Sequence, residues 1–135
     1  MISLTRFFAL MALCCFAGDA YLAAEPTSTI IEFTQENSQK TLESAHFLVV
    51  DVYAEWCTPC KRLKPIFNEL NAEYGTQYQF AKVSAENNES FAERFQITGF
   101  PTILFIKDGK EVGRHVGFAK KEQLLEILKK HFNTN

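Results

Sequence analysis

Val50-Asp51-Val52-Tyr53-Ala54-Glu55-Trp56-Cys57-Thr58-Pro59-Cys60-Lys61 is the stretch on which the fold assignment turns. It begins inside Phe47 to Tyr53, a β-prone run broken only by Asp51, as expected of a strand covered on both faces. A helix follows, because Leu63, Ile66, Phe67, Leu70 and Tyr74 recur at spacings of three and four and make one apolar face. Thr58 is a good N-cap type and Pro59 a good first helical residue, so Cys57 is expected at the mouth of that helix. A strand thus runs into a helix with two cysteines at the joint.

Outward from this joint the chain alternates. Ile30, Ile31 and Phe33 suggest a short strand, and Gln35 to Ser44 a modest helix. Gly75 is placed to end the helix after the cysteines. Tyr78, Phe80, Ala81 and Val83 form the next strand, and Ser90 with Glu93 has capping-box spacing before a short helix carrying Phe91 and Phe95. Thr102 to Ile106 is a further strand, and the Asp108-Gly109 turn returns it as a hairpin through Val112 to Val116. The last helix starts near Lys120, with Leu124, Leu125, Ile127, Leu128 and Phe132 inward, while Lys120 and Lys121 oppose its dipole. The order β-α-β-α-β-α-β-β-α predicts an α/β fold, a single three-layer domain with a mixed central sheet and helices on both faces. Chemistry in such folds sits at the carboxyl ends of strands, where Cys57 and Cys60 lie.

A thiolate, not a thiol, attacks a disulfide. Unpaired N–H groups and the dipole at a helix start favour a negative sulfur. Lowering a cysteine pKa from about 8.5 to about 7 raises the thiolate share at neutral pH from about 3% to about 50%. That shift corresponds to about 2 kcal/mol, within reach of one helix terminus and a hydrogen bond or two. Cys57 is then the attacking sulfur and Cys60 the resolving one. Two bland alternatives stand beside this: an inert bridge, which so short a loop would make of little structural use, and half of a zinc site. No second CxxC or spaced histidine pair completes a zinc site, so no metal is expected. His46, His115 and His131 read as surface or packing residues, and Asp51 by itself could be a salt-bridged structural acid.

The quoted stretch, with Gly99-Phe100-Pro101-Thr102 downstream and a closing hairpin followed by Gly117, resembles thioredoxin. The resemblance spans nearly all the chain after its N-terminal segment and implies the thioredoxin fold and a thiol–disulfide oxidoreductase without any cofactor beyond its own Cys57–Cys60 disulfide. It implies that Asp51 is a buried acid relaying the proton of the resolving thiol, and that Lys82 tunes it. Pro101 matches the family's cis-proline, and Pro65 its helix-kinking proline. Trp56, Thr58, Pro59, Gly99, Phe100, Pro101 and Gly117 border the peptide groove, with Trp56 flanking an exposed nucleophile. One residue departs from the pattern: Thr58 stands where thioredoxins usually carry glycine, and its hydroxyl is placed to cap the helix or to bond a sulfur. The absence of a histidine between the cysteines argues against the strongly oxidising DsbA-like members. The competing function is a redox-silent peptide-binding or chaperone module of the same fold.

The N-terminus differs from the rest. Arg6 precedes the uncharged stretch Phe7 to Gly18, and small residues follow, the pattern of a secretory signal. Residues 1–24 are expected to be a cleaved signal peptide or, through residues 7–24, a membrane anchor; Glu25 to Ser28 is a linker, and 27–135 is the thioredoxin-like domain. Of the four cysteines, Cys14 and Cys15 fall in that segment, so export leaves Cys57 and Cys60. The protein is therefore expected in the periplasm or another extracytoplasmic compartment. Its partners would be protein or peptide disulfides and dithiols, with a membrane or soluble thiol electron donor. A formal net charge of −2 over 135 residues gives no basic field for nucleic acid, and the chain is expected to be a monomer.

Overall fold

The computed structural model describes residues 28–132. The expected signal or anchor, with Cys14 and Cys15, lies outside them. The elements are β1 (Ile31–Glu32), α1 (Ser38–Ser44), β2 (Phe47–Tyr53), α2 (Thr58–Tyr74), β3 (Gln79–Ser84), α3 (Glu89–Arg94), β4 (Thr102–Lys107), β5 (Lys110–Val116) and α4 (Lys121–Phe132). The strand order is β1-β3-β2-β4-β5, with β1, β3 and β2 parallel and β4 and β5 antiparallel. This is the expected mixed sheet, and β2 lies at its centre.

Alternation along β2 divides the core. Leu48, Val50 and Val52 join Ala81, Val83, Leu104 and Ile106 beneath Leu42 of α1 and Phe91 of α3. Val49 joins Phe80, Ile103 and Phe105 beneath Leu63, Phe67 and Leu70 of α2 and Leu124, Leu128 and Phe132 of α4. Each such side chain gains roughly 1.5–3 kcal/mol by full burial, which is why a run with no polar alternation settles at the sheet centre.

Several element ends differ from expectation. Thr34 and Asn37 exchange side-chain-to-backbone hydrogen bonds at 2.9 and 3.2 Å, so α1 starts at Ser38 rather than Gln35. The Ser90–Glu93 capping box does not form. Asn88, 1% exposed, caps α3 by accepting from the Phe91 N–H at 3.3 Å, and the Ser90 hydroxyl donates to the same oxygen. Gly75 ends α2 with φ −67°, not in the left-handed region. A Cβ there would lie 2.5 Å from the Asn71 carbonyl oxygen and closer still to the Ser28 hydroxyl, so glycine is required by close approach. The Asp108-Gly109 turn is as expected, with both φ values positive (50° and 77°). Lys121, which opposes the α4 dipole, is held by Glu69 and Glu73 of α2.

Candidate active site

Helix α2 begins one residue earlier than the sequence suggests. Thr58 is its first residue and Pro59 its second, and the N-cap is Cys57 itself, with extended backbone (φ −81°, ψ 109°). The Cys57 Sγ accepts a hydrogen bond from the Cys60 N–H at 3.2 Å, the role an N-cap oxygen usually fills. The Thr58 hydroxyl, exposed, caps nothing and bonds neither sulfur. The sulfur therefore stands where backbone donors and the positive helix end converge. Cys57 and Cys60 are joined as a disulfide, with their Cα atoms 5.3 Å apart.

Cys57, expected to be exposed, is 3% exposed, and Cys60 is 5% exposed. They pack with Ala54, Tyr53 and Phe100. Trp56 stands outside this cluster, 69% exposed, its ring edge-on to Phe100 at 5.9 Å. The nucleophile thus lies beneath an apolar rim instead of open to solvent.

That rim is built by the loop before β4 and the end of β5. The Phe100–Pro101 peptide bond is cis, and Pro101 is buried. The Pro101 carbonyl accepts from the Gly117 N–H at 2.7 Å, and the Thr102 hydroxyl donates to the Gly99 carbonyl at 2.7 Å. Gly117 has φ +96°, a conformation that favours glycine. A Cβ on Gly99 would come within 3.0 Å of Val116, so glycine lets that exposed valine lie against the loop. Val116 was not singled out in the sequence, where it is one more apolar residue at a strand end.

Asp51 lies beneath the cysteines. It is 6% exposed, its Oδ1 has no hydrogen-bond partner, and it lines a pocket of about 300 Å³ together with Cys60, Lys61, Lys64 and Lys82. Burial pushes its pKa up from 3.8 to about 7; Lys82 opposes the shift and Glu32 adds to it. Lys82 is in register with Asp51 on the adjacent strand, as the resemblance implied, but its ammonium is ion-paired to Glu32 at 2.9 Å. Glu32 also accepts from the Tyr53 hydroxyl at 3.0 Å. Burial and Glu32 together push the Tyr53 phenol up. Sequence reading assigns no role to Glu32 or to the Tyr53 hydroxyl. The available signal was strand alternation, which puts Glu32 on the face of Ile30 and Tyr53 on the face of Asp51.

A sulfur pair at the mouth of a helix, at the carboxyl edge of a mixed sheet, defines the class: a dithiol–disulfide oxidoreductase of thioredoxin fold. The Thioredoxin family model matches residues 29–130. The thioredoxins of Staphylococcus haemolyticus and Staphylococcus aureus are each 37% identical over 102 residues, covering 76% of this chain and 97% of theirs. Among solved structures, a thioredoxin of Nicotiana alata superposes with a TM-score of 0.71 at 36% identity, covering 81% of this chain and 96% of that one. A thioredoxin of Malassezia sympodialis gives 0.72 at 25% identity, covering 79% and 94%. The chain belongs to the thioredoxin family, and Cys57–Cys60 is its redox-active disulfide.

Proposed function

We propose that this protein works as a reductant of disulfides in exported proteins, in an extracytoplasmic compartment, drawing electrons from a membrane-borne thiol donor. The observation that carries the chemistry is the Cys57 sulfur acting as the cap acceptor of α2, with Cys60 bonded to it and Asp51 below. In the reduced protein the Cys57 thiolate attacks one sulfur of the substrate disulfide. That bond breaks, the first substrate sulfur leaves with the electron pair, and a mixed disulfide forms at Cys57. The Cys60 thiol gives its proton to the Asp51 carboxylate, and the resulting thiolate attacks the Cys57 Sγ. The mixed disulfide breaks, the second substrate thiolate leaves and takes a proton from water, and two electrons have passed to the substrate. Lys82 sets how readily Asp51 accepts the proton. Trp56, Phe100, Pro101, Val116, Gly99 and Gly117 form the surface on which the substrate chain lies, with Thr58 and Pro59 at its edge.

Two features support the direction and the compartment. No residue between the cysteines adds positive charge to hold the pair as thiolates, which favours a reducing potential. The apolar stretch after Arg6 has the composition of an export signal. Family potentials span about 150 mV, so equilibration with a glutathione buffer tests the direction: a value at the reducing end is expected, and one at the DsbA end overturns it. Cys57→Ser should abolish insulin reduction, and Cys60→Ser should accumulate mixed disulfides with extracytoplasmic clients. Mass spectrometry of the mature N-terminus tests export; an intact chain recovered from the cytoplasm would refute it.

A further inference from the structure

β1, β3 and β2 run parallel, and on the face beneath α2 each, counting Ile30 just before β1, changes from apolar to polar toward its carboxyl end. Ile30 gives way to Glu32, Phe80 to Lys82, and Val49 to Asp51 and Tyr53. Glu32, Lys82 and Asp51 are consecutive in register across three strands. The central cation therefore has a carboxylate on either side. It is paired with the outer one: Lys82 Nζ lies 2.9 Å from Glu32 Oε2, while Asp51 Oδ1 has no partner. The other Glu32 oxygen, Oε1, is fixed by the Tyr53 hydroxyl at 3.0 Å.

We propose that Glu32 is a positioning residue of the proton-transfer step: it draws the Lys82 ammonium outward, braced by Tyr53, and leaves Asp51 free to take the Cys60 proton. The inference rests on the reading of Asp51 as that acceptor. Other charged and titratable groups border the same pocket: Cys60, Lys61 and Lys64 from α2, and Glu55 from the turn before it. The three charged ones are exposed and lie outside the strand register; Glu32 is exposed too, but it and Lys82 stand in line with Asp51 across the sheet, and theirs are the charges that bear on the Asp51 titration. β4 presents Ile103, which is apolar, in register with Asp51. Removing the charge of Glu32 takes away a repulsion and releases Lys82 toward Asp51, and both changes favour the ionised acid.

Glu32→Gln tests this, because it keeps the shape of the side chain and an acceptor for Tyr53 while removing the charge. The Asp51 carboxyl is followed by carbon-13 NMR titration, and insulin reduction is measured as a function of pH. The Asp51 midpoint is expected to fall by about one unit, and the acidic limb of the rate profile to fall with it. Glu32→Asp, which restores the charge, should return the midpoint most of the way. A midpoint unmoved in Glu32→Gln, or a rate lowered equally at every pH, overturns the inference. A midpoint that moves while the rate profile stays put leaves Glu32 in its place but removes Asp51 as proton acceptor.

Discussion

At Asp51, which pairs with the apolar Ile103 on β4, a carboxyl group is buried with one oxygen unpartnered, and its pKa stands near 7 against 3.8 in the free acid. Well below pH 3.8 both the folded and the unfolded chain carry the proton there, and Asp51 costs no stability. As pH rises toward 7 the unfolded chain ionises first, so stability falls and then levels off above the folded value. The difference of roughly three units corresponds to about 4 kcal/mol at most. Asp51→Asn does not titrate, so its stability advantage over the parent should be small at pH 4 and widen to several kcal/mol by pH 8. Urea unfolding at the two values checks this, and a gap independent of pH would mean that Asp51 is not held protonated by burial. The burial of Asp51 was legible from its place in an apolar strand, but by itself it could as well have been a salt-bridged structural acid, and only the family resemblance gave it a role beside the cysteines. Glu32 was not, because an acid on a short edge strand looks like any solvated charge until the register sets it beside Lys82.

Helix bodies and helix starts were not equally legible. The body of α2 follows from the three- and four-residue recurrence of Leu63, Phe67 and Leu70, since periodicity is a property of neighbouring residues. Its start was misplaced by one residue because cap preferences rank oxygen-bearing side chains, and here a cysteine sulfur accepts the bond. At α3 the spacing of Ser90 and Glu93 pointed to one cap while the chain uses Asn88, whose buried side chain serves both Phe91 and Ser90. The two assignments separate experimentally. Asn88→Ala should cost about 1–2 kcal/mol, whereas Ser90→Ala, exposed and one residue inside the helix, should cost less than about 0.5 kcal/mol. Urea midpoints of the two variants decide it; the reverse ranking would restore the capping box. Gly75→Ala should also destabilise, by about 1–3 kcal/mol, because its methyl group would press on the Asn71 carbonyl and on Ser28. That contact joins residues far apart in sequence and carried no local signal.

Among the described residues the nine elements appear in the expected order, since each announced itself by a local period or turn, and connection rules leave few ways to assemble them. Contacts between distant segments, such as Val116 on Gly99 or Glu32 on Lys82, emerge only after assembly. Assembly also separates stability from chemistry along the length of β2. The cysteines sit beyond its carboxyl end. At its amino end Phe132 packs on Phe47, Tyr78 and Phe105, with ring centroids 5.0, 5.3 and 5.9 Å apart. A strand of seven residues puts the two ends roughly 20 Å apart. Phe132 is 3% exposed, so Phe132→Ala should leave a cavity and cost about 3–5 kcal/mol. For a domain of this size that lowers the melting temperature by more than about 12 °C. The folded protein at 20 °C should nonetheless reduce insulin at the parental rate, because Phe132 packs at the end of β2 opposite the cysteines. Thermal unfolding followed by circular dichroism, with rates corrected for the folded fraction, checks both halves. A rate that drops severalfold in fully folded Phe132→Ala would show that packing at the amino end sets the geometry of the sulfur pair.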